Sequence, residues 1–547
     1  MTRDLKAVFV LALVVLATTL PFVRRAYFVD DYYFVTMAKG ILRNPWRPYD
    51  FKSDDAGIGN VAWERGQRPR MVNPPLFHYY LAGVIALVGD APWKLRTSTL
   101  VFSLWALISM YFLGKRFVPN PLTPALLMAV CPAYWLTSYS LLIDSALVAF
   151  LLASILAFFI GQEKRHLGWI VLSGLLMGLT MLVKYFGIIV VAIALVWQLV
   201  DPKRRAWWAG YCAYACFAVI QFLWGVWNIA TYGQMHFLAA LPRGMGSPSL
   251  IAWAQKAIVM GSFMGGGLVF VMASLPLLWR SSKPWRFGLV GLFVGLTVLF
   301  CSRAGGFELQ QGVLLSFFIT GAMAFVVVMG RTLEPSDPNQ LFLMLWVLGG
   351  LLELVIVMPW TAGRYYVCVL PALCWVFALI LEEFRWPELG RAALGVTALA
   401  GLLIAHADYI QANTIVRLAE NLREHMAQFE QFAPRPPSHW YYLADTFDGS
   451  QPYLLPLGWE NVLPYQKFKP GDLFLRAYYR KSSWWNVDNE MKRFRPVARY
   501  DVRSWNPIRV MDVPASAGFY ASCWGALPWI VTNHAVERFE LYQAISE

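Results

Sequence analysis

Thirteen long apolar segments dominate this 547-residue chain and limit it to a membrane fold. Hydrophobic residues make up 58% of the chain and charged residues 14%, whereas soluble proteins carry about 25% charged residues. Within lipid, a helix satisfies its own backbone polar groups, so the segments are predicted to be helical. The predicted spans are 5–23, 97–114, 122–140, 144–161, 168–183, 185–200, 209–230, 255–279, 287–302, 310–330, 340–358, 364–382 and 391–409.

Basic linkers between the spans predict the orientation of the chain. The five linkers that carry Lys or Arg are 114–117, 161–166, 201–205, 280–286 and 382–391. With the N-terminus in the cytoplasm, all five lie on the cytoplasmic side, as the positive-inside rule requires. The net charge of +13 is explained by such linkers, so no nucleic-acid partner is expected. The first span is interpreted as a retained anchor, because Arg24 and Arg25 follow it without a small-residue cleavage site.

The polar segments divide the chain into two predicted domains. Residues 1–410 form the transmembrane domain, with a long outer loop at 24–75. Residues 76–93 are apolar, but counting them as a crossing would invert every later linker, so they are predicted to form an interfacial or re-entrant helix. Residues 411–547 are predicted to form a small α/β domain outside the cytoplasm.

Two adjacent carboxylates, Asp30 and Asp31, follow the first span directly and are flanked by aromatic residues. Desolvating ionised groups at this depth is costly, which favours a functional role. A solvated loop pair is the alternative interpretation.

Further charges fall at the same predicted membrane depth. Asp144 opens the fourth span, Lys184 lies between two short spans, and Arg364 opens the twelfth span. Alternatively, Asp144 is only a helix cap, and the two cations only extend to the interface. The same side receives Arg68, Arg70 and Glu353, while His236 is assigned to an ordinary outer loop.

This set of charges suits transfer from a lipid phosphate. A carboxylate can take the proton of an attacking hydroxyl, and cations can hold the leaving phosphate. Alternatively, a divalent metal ion bound by Asp30 and Asp144 would supply the same electrostatic stabilisation. The seven cysteines have no spacing typical of a metal site or a disulfide framework.

The order of these features resembles the bacterial relatives of protein O-mannosyltransferases and of the lipid A aminoarabinose transferase, which have the GT-C fold. The resemblance rests on the acidic pair, the Asn73-Pro74-Pro75 start of the interfacial helix, Asp144, and the Arg364-Tyr365-x5-Pro371 pattern. It implies that Asp30 is the base or key carboxylate and that Asp144 is the second acidic site. Asp31, which is also assigned to the catalytic residues with Asp30 and Asp144, stands where Glu is usual. Asn73 and Tyr33 replace a lysine and an arginine of the aminoarabinose transferases.

The resemblance further implies a glycosyltransferase of the bacterial inner membrane. The donor would be a polyprenyl-phosphate sugar, and the acceptor a glycan, a lipid such as lipid A, or a protein. Phosphate contacts are assigned to Lys184, Arg364, Arg68 and Arg70, with Asn73, Glu353 and Tyr365 as further candidates. The main alternative is a transporter or flippase for a lipid-linked or anionic substrate, and a third is a non-enzymatic envelope assembly protein. Surface charges and the lack of an internal repeat favour the enzyme over the transporter.

Overall fold

The computed structural model describes residues 2–51, 63, 69, 71–244, 249–358, 360–432, 439–442, 449–462, 467–479 and 493–545. Helices form most of this part of the chain, and strands are confined to its C-terminal region. The prediction of a polytopic helical membrane protein with a small C-terminal α/β domain is confirmed.

The described residues contain 21 α-helices. In chain order they are α1 (Arg3–Thr19), α2 (Asp31–Arg43), α3 (Leu76–Val88), α4 (Pro92–Gly114), α5 (Leu122–Val130), α6 (Pro132–Ser138), α7 (Asp144–Lys164), α8 (Leu167–Val183), α9 (Ile189–Val200), α10 (Pro202–Arg205), α11 (Cys212–Tyr232), α12 (His236–Gly244), α13 (Leu250–Leu268), α14 (Ser274–Ser281), α15 (Lys283–Cys301), α16 (Leu309–Thr332), α17 (Pro338–Ile356), α18 (Leu370–Glu383), α19 (Pro387–Ala412), α20 (Thr414–Phe432) and α21 (Gln451–Leu454). Short 3-10 helices lie at Leu20–Phe22, Tyr185–Ile188, Trp208–Tyr211, Phe270–Ala273, Gly363–Cys368 and Leu455–Leu457.

All thirteen predicted spans are helical, but they are not all continuous. Within the described residues, eight helices are long and apolar enough to cross a membrane, and a bent pair makes up to nine. The predicted spans at 168–183 and 185–200 form helices shorter than 18 residues. The segments at 122–140 and 364–382 are each divided between two helical pieces, with Pro132 and Pro371 in the first turns of α6 and α18. Proline favours such a helix start, which explains these interruptions.

The sharpest break lies within the predicted span at 255–279. Helix α13 and the helical segment from Phe270 to Ser281 meet at an angle of 91°. Val269 between them has φ 56°, which is strained for a β-branched residue. Gly265 lies just before this break, and a Cβ there would sit 2.2 Å from the Phe318 carbonyl oxygen. The close approach of α13 to α16 therefore requires glycine.

The helix in the apolar segment 76–93 is shorter than the segment itself. Helix α3 ends at Val88, and Gly89 follows with φ 86°. Helix α4 then begins at Pro92, five residues before the predicted start of its span. A proline at the first helical position explains this early start, because its missing N–H has no partner within the helix anyway.

The C-terminal region contains a five-stranded sheet of order β2-β1-β3-β9-β4. Strand β9 is antiparallel to β3 and β4, whereas β1 is parallel to β2 and β3. Its strands are β1 (Trp440–Tyr442), β2 (Glu460–Asn461), β3 (Leu473–Ala477), β4 (Phe494–Val502) and β9 (Glu537–Ala544); short pairs are formed by β5 (Ile508–Arg509) with β8 (Ile530–Val531) and by β6 (Met511–Asp512) with β7 (Ala517–Gly518).

Part of the C-terminal region packs into the helical bundle. Val510, Phe519, Tyr520 and Trp524 belong to the same buried apolar core as the membrane helices. The indole N–H of Trp529 donates to the carbonyl of Gly266, beside the break after α13. This packing brings the C-terminal region against the end of the bundle where the predicted site residues lie.

Candidate functional site

Asp30 and Arg364 form an ion pair at the edge of the core. Asp30 is the N-cap of α2, and it follows Val29, whose φ of 56° is strained for a β-branched residue. Arg364 lies in the 3-10 helix that precedes α18, and its Nη1 donates to Asp30 Oδ2 at 2.8 Å. The exposed fractions of the two side chains are 14% and 10%. Asp30 is therefore the more open member of the acidic pair and can still be reached from outside.

Asp144 and Lys184 form a second pair. Asp144 is the first residue of α7, and Lys184 follows the last residue of α8. The Lys184 Nζ donates to Asp144 Oδ1 at 2.7 Å. Asp144 Oδ2 and Arg364 Nε are buried without a hydrogen-bond partner in the described part of the chain. Unsatisfied buried polar atoms are costly, so each of these two atoms is a candidate ligand contact.

Tyr365 connects the two pairs. Its ring centroid lies 4.7 Å from Lys184 Nζ and 5.6 Å from the Arg364 Cζ atom. Both distances fit cation–π contacts, so one buried aromatic ring holds both cations in a fixed relation. The structure thus brings together Asp30, Asp144, Lys184, Arg364 and Tyr365, which were predicted from distant parts of the sequence.

Asp31 lies in a different environment, with no exposed side-chain surface. Its Oδ2 accepts from Arg25 at 2.9 Å and from Arg96 at 2.6 Å, and its Oδ1 accepts from the Leu141 N–H at 3.0 Å. Such a carboxylate is fully satisfied and closed to an external hydroxyl. The geometry therefore favours a positioning role for Asp31 over the catalytic role assigned from the sequence.

The Asp31 network extends to a second buried carboxylate. We define this network as Arg25, Asp31, Arg96, Asp408 and Tyr520. Asp408 accepts from Arg25 Nε at 2.8 Å and from the Tyr520 hydroxyl at 2.6 Å. The network contains two cations, Arg25 and Arg96, and two carboxylates, so its buried charges balance.

Four members of this network were missed as site residues from the sequence. Asp408 lies at the end of the last predicted span, and an acid in a span is a signal of function. Arg96 lies one residue before a predicted span and therefore resembled an ordinary flanking cation. Nothing in the sequence indicated that Tyr520 would reach the membrane domain.

The C-terminal region also holds the backbone next to Arg364. The Gly363 N–H donates to the Phe519 carbonyl at 2.9 Å, and the Phe519 ring packs against Gly363. A Cβ at Gly363 would lie 2.7 Å from that ring, which explains the glycine. Residues of the two predicted domains therefore build this site together.

The remaining predicted site residues either form no hydrogen bond or ion pair with the four charged side chains of the two ion pairs or lie outside the described residues. Asn73 has its side-chain amide 3.9 Å from Met71 Sδ, and its carbonyl accepts from Tyr49. Glu353 lies in α17, with Oε2 buried and without a partner among the described residues. Arg68 and Arg70 lie outside the described residues.

His236 does not lie in an ordinary loop, so that prediction was wrong. It begins α12 and is fully buried against the Tyr49 ring, at 4.5 Å between centroids. Its Nε2–H donates to the Met71 carbonyl at 2.9 Å, and its Nδ1 accepts from the Tyr185 hydroxyl at 2.7 Å. Burial lowers the pKa of His236 to about 3, although the bond to the Met71 carbonyl acts in the opposite direction. Neutral His236 therefore fastens the loop before α3 to the bundle.

The donor set does not fit the predicted divalent metal ion. Asp30 and Asp144 each already face a cationic side chain. Within the described ranges, no group of three or more His, Cys, Asp or Glu side chains could hold a metal ion. A metal ion would have to displace Arg364 and Lys184, so no chemical step is derived through one.

One family model matches part of this chain. Residues 72–227 match the family model described as dolichyl-phosphate-mannose-protein mannosyltransferase. The matched region includes Asp144 and Lys184. Over this part of the chain, the match agrees with the resemblance to protein O-mannosyltransferases that was predicted from the sequence. No curated protein matches the chain.

Several solved structures are similar to this chain. ArnT from Cupriavidus metallidurans bound to undecaprenyl phosphate has 13% identity and a TM-score of 0.47, over 92% of this chain and 96% of that chain. The Archaeoglobus fulgidus oligosaccharyltransferase has 14% identity and a TM-score of 0.47, over 81% of this chain. This chain spans 62% of that oligosaccharyltransferase. The S. cerevisiae Pmt1-Pmt2 complex bound to the sugar donor has 18% identity and a TM-score of 0.32, over 44% of this chain and 34% of that chain.

Proposed function

Because residues 72–227 match the dolichyl-phosphate-mannose-protein mannosyltransferase family, we propose that the whole chain is a membrane glycosyltransferase. It moves a sugar from a polyprenyl-phosphate donor to a hydroxyl group of a glycan, lipid or protein. The proposed location is the bacterial inner membrane, with the N-terminus in the cytoplasm and the C-terminal region on the opposite side. Five basic linkers support this orientation.

The observation that carries the proposal is that two ion pairs, Asp30–Arg364 and Asp144–Lys184, lie around Tyr365. Two carboxylates and two cations meet at one buried aromatic ring, and each pair is 2.7 to 2.8 Å long. The charges cancel in this arrangement. An anionic phosphate that enters would therefore compete with the carboxylates for Lys184 and Arg364.

Donor binding supplies the first step of the mechanism. The donor phosphate takes charge-assisted hydrogen bonds from Lys184 and Arg364, including the unpartnered Arg364 Nε. Both cations are close to Tyr365, so they need little reorganisation to face one phosphate group. When Arg364 turns from Asp30 to the donor phosphate, the Asp30 carboxylate becomes free to accept a proton.

Transfer then follows with a balanced exchange of bonds. The acceptor hydroxyl oxygen attacks the anomeric carbon of the sugar, and Asp30 takes the hydroxyl proton. The bond between the anomeric carbon and the phosphate oxygen breaks, and its electron pair stays on the polyprenyl phosphate. Lys184 and Arg364 stabilise the charge that develops there. The products are the glycosylated acceptor, polyprenyl phosphate and protonated Asp30, which returns its proton to water.

Asp144 has a supporting role in this proposal. Its side chain is 1% exposed, so it is too enclosed to meet an acceptor. It holds Lys184 in place before the donor arrives, through the hydrogen bond from Lys184 Nζ to its Oδ1. This assignment separates the two acids: Asp30 acts on the acceptor and Asp144 acts on the donor.

Release of polyprenyl phosphate from purified protein tests the proposal. The full chain, in lipid nanodiscs, is mixed with a panel of polyprenyl-phosphate sugars and candidate acceptors. We expect acceptor-dependent release of polyprenyl phosphate, with Asp30→Asn as the inactive control. If liposomes containing the chain move the donor between leaflets without breaking the sugar–phosphate bond, the chain is a flippase and the proposal is wrong.

A further inference from the structure

The structure contains a cleft that shares no residue with the two ion pairs. It has a volume of about 680 Å³ and lies between the 3-10 turn after α1, helices α19 and α20, and the segment 503–505. Phe22, Leu402 and Ile410 contribute apolar walls. Arg417 and Arg503 contribute cations, so the cleft has both an apolar and a basic part.

The side chains of the two arginines have no counter-ion among the described residues. Both are exposed, and neither side chain forms an ion pair or hydrogen bond there. No carboxylate is among the described residues that line the cleft. Two uncompensated guanidinium groups on the same cleft attract an anion, and their planar forks suit a phosphate group.

His406 and Trp505 complete the basic part. The side-chain amide of Asn506 donates to His406 Nδ1 at 3.2 Å, which leaves Nε2 as the N–H donor of the neutral ring. The Trp505 ring lies 4.9 Å from the His406 ring and is 75% exposed. An exposed tryptophan is typical of the level where lipid headgroups meet the hydrocarbon.

The apolar part continues along a face of α19 that is open to lipid. Val396, Leu399 and Leu402 share this face at helical spacing and are 59%, 59% and 47% exposed. From Leu402 to Arg417 the helical rise is about 22 Å, which is about half the thickness of a bilayer with its headgroups and therefore the length of one phospholipid. A ligand lying here meets hydrocarbon contacts first and cations last, which is the order of groups in a phospholipid.

We infer that this cleft binds an anionic glycerophospholipid of the surrounding membrane. Its phosphate would lie between Arg417 and Arg503, with His406 as an additional donor, and its acyl chains would follow the exposed face of α19. The occupant is a bilayer lipid because Leu402 belongs both to the cleft and to the exposed apolar face of α19. This site does not depend on the proposed transfer reaction.

Lipid counting on the purified full chain tests the inference. The protein in detergent is titrated with phosphatidylglycerol or with phosphatidylcholine of the same acyl chains, and bound lipids are counted by native mass spectrometry. We expect one tightly held phosphatidylglycerol in the wild type. In the double variant Arg417→Gln and Arg503→Gln, its affinity should fall about tenfold or more, because two charge-assisted contacts are lost. The double lysine variant keeps the charge and should retain most of the binding.

Arg391→Gln is the matched control, because Arg391 is exposed at the opposite end of α19 and pairs only with Glu388 among the described residues. It should bind phosphatidylglycerol like the wild type. Equal binding of both phospholipids, or unchanged binding in the glutamine double variant, overturns the inference. If polyprenyl phosphate displaces the bound lipid at equal concentration, the cleft is a donor site and the assignment to a bilayer phospholipid is wrong.

Discussion

Thr361 and Ser522 bind each other through two hydrogen bonds, although they lie 161 residues apart. The Ser522 N–H donates to the Thr361 carbonyl at 2.7 Å, and the Thr361 N–H donates to Ser522 Oγ at 3.0 Å. Thr361 lies three residues before Arg364. This contact from the C-terminal region therefore helps to fix the direction in which the Arg364 side chain leaves the backbone.

Ser522→Ala should weaken donor binding without abolishing activity. The change removes one of the two hydrogen bonds and leaves the Thr361 N–H without its partner, which costs on the order of 1 kcal/mol. Because Ser522 acts only through Arg364, KM for the donor should rise about fivefold with little change in kcat. Ser522→Thr keeps the hydroxyl and should restore KM. A change in kcat alone, or no rescue by threonine, would argue against a positioning role.

Lys184→Met and Arg364→Met should each weaken donor binding. Methionine keeps much of the apolar stem but removes the charge, so a charge-assisted hydrogen bond to phosphate is lost, at about 1.5–3 kcal/mol. Titration calorimetry with a polyprenyl-phosphate ligand measures the effect. Lys94→Met is the control, because the Lys94 Nζ donates to the Val88 carbonyl and touches no carboxylate in the described residues. Unchanged affinity in both variants would leave Lys184 and Arg364 without a role in donor binding.

The separate charges of the site could be predicted from the sequence, but their pairing could not. Placing Asp30, Asp144, Lys184 and Arg364 at one depth needs only hydropathy and linker charge, because burying charge in lipid is costly wherever it occurs. Which cation faces which acid depends on the packing of helices that are far apart in sequence. Asp30 and Arg364, for example, are 334 residues apart.

The interrupted spans show a second limit of sequence patterns. Hydropathy measures whether a segment can lie in lipid, but not whether its helix is straight. The bend at Val269 arises where α13 packs closely on α16 and meets the C-terminal region, as the contacts of Gly265 and Trp529 show. Asp408 was likewise missed because its partners Arg25 and Tyr520 come from opposite ends of the chain.

Asp31→Asn should have a larger effect on the stability of the protein than on the rate of sugar transfer. The change leaves Arg25 and Arg96 with one buried carboxylate fewer, and breaking a buried ion pair costs about 3–5 kcal/mol. We expect a clear fall in thermal stability in detergent, measured by the loss of monodisperse protein on heating. Arg96→Met should have a similar effect, and the double variant should be less destabilised than the sum of both, because the two residues are directly paired. Additive effects would contradict this network.

Stability should fall between pH 7.5 and pH 5 partly through His236. The pKa of this histidine is about 3 in the folded chain, below its ordinary value of 6.5. A lowered histidine pKa means that the unfolded chain binds the proton first, so the stabilisation is complete above pH 6.5 and is lost as the pH falls towards 3. The contribution at pH 5 is about 2 kcal/mol smaller than at pH 7.5. His236→Gln should therefore show a flatter dependence of Tm on pH than the wild type, and parallel pH profiles would contradict the assignment.

Asp30→Asn should remove transfer while it preserves the fold and does not weaken donor binding, because the Asp30 carboxylate competes with the phosphate for Arg364. Asparagine has nearly the same shape and can still accept a hydrogen bond from Arg364, but it cannot take the acceptor proton. Turnover should fall roughly 100- to 10,000-fold, the usual share of general base catalysis. Asp30→Glu keeps a carboxylate at a shifted position and should retain more activity than the asparagine variant. Native-like thermal stability and donor affinity in Asp30→Asn separate this effect from that of Asp31→Asn. If Asp30→Asn keeps near-full activity while a correctly folded Asp144→Asn is inactive, Asp144 is the catalytic base instead.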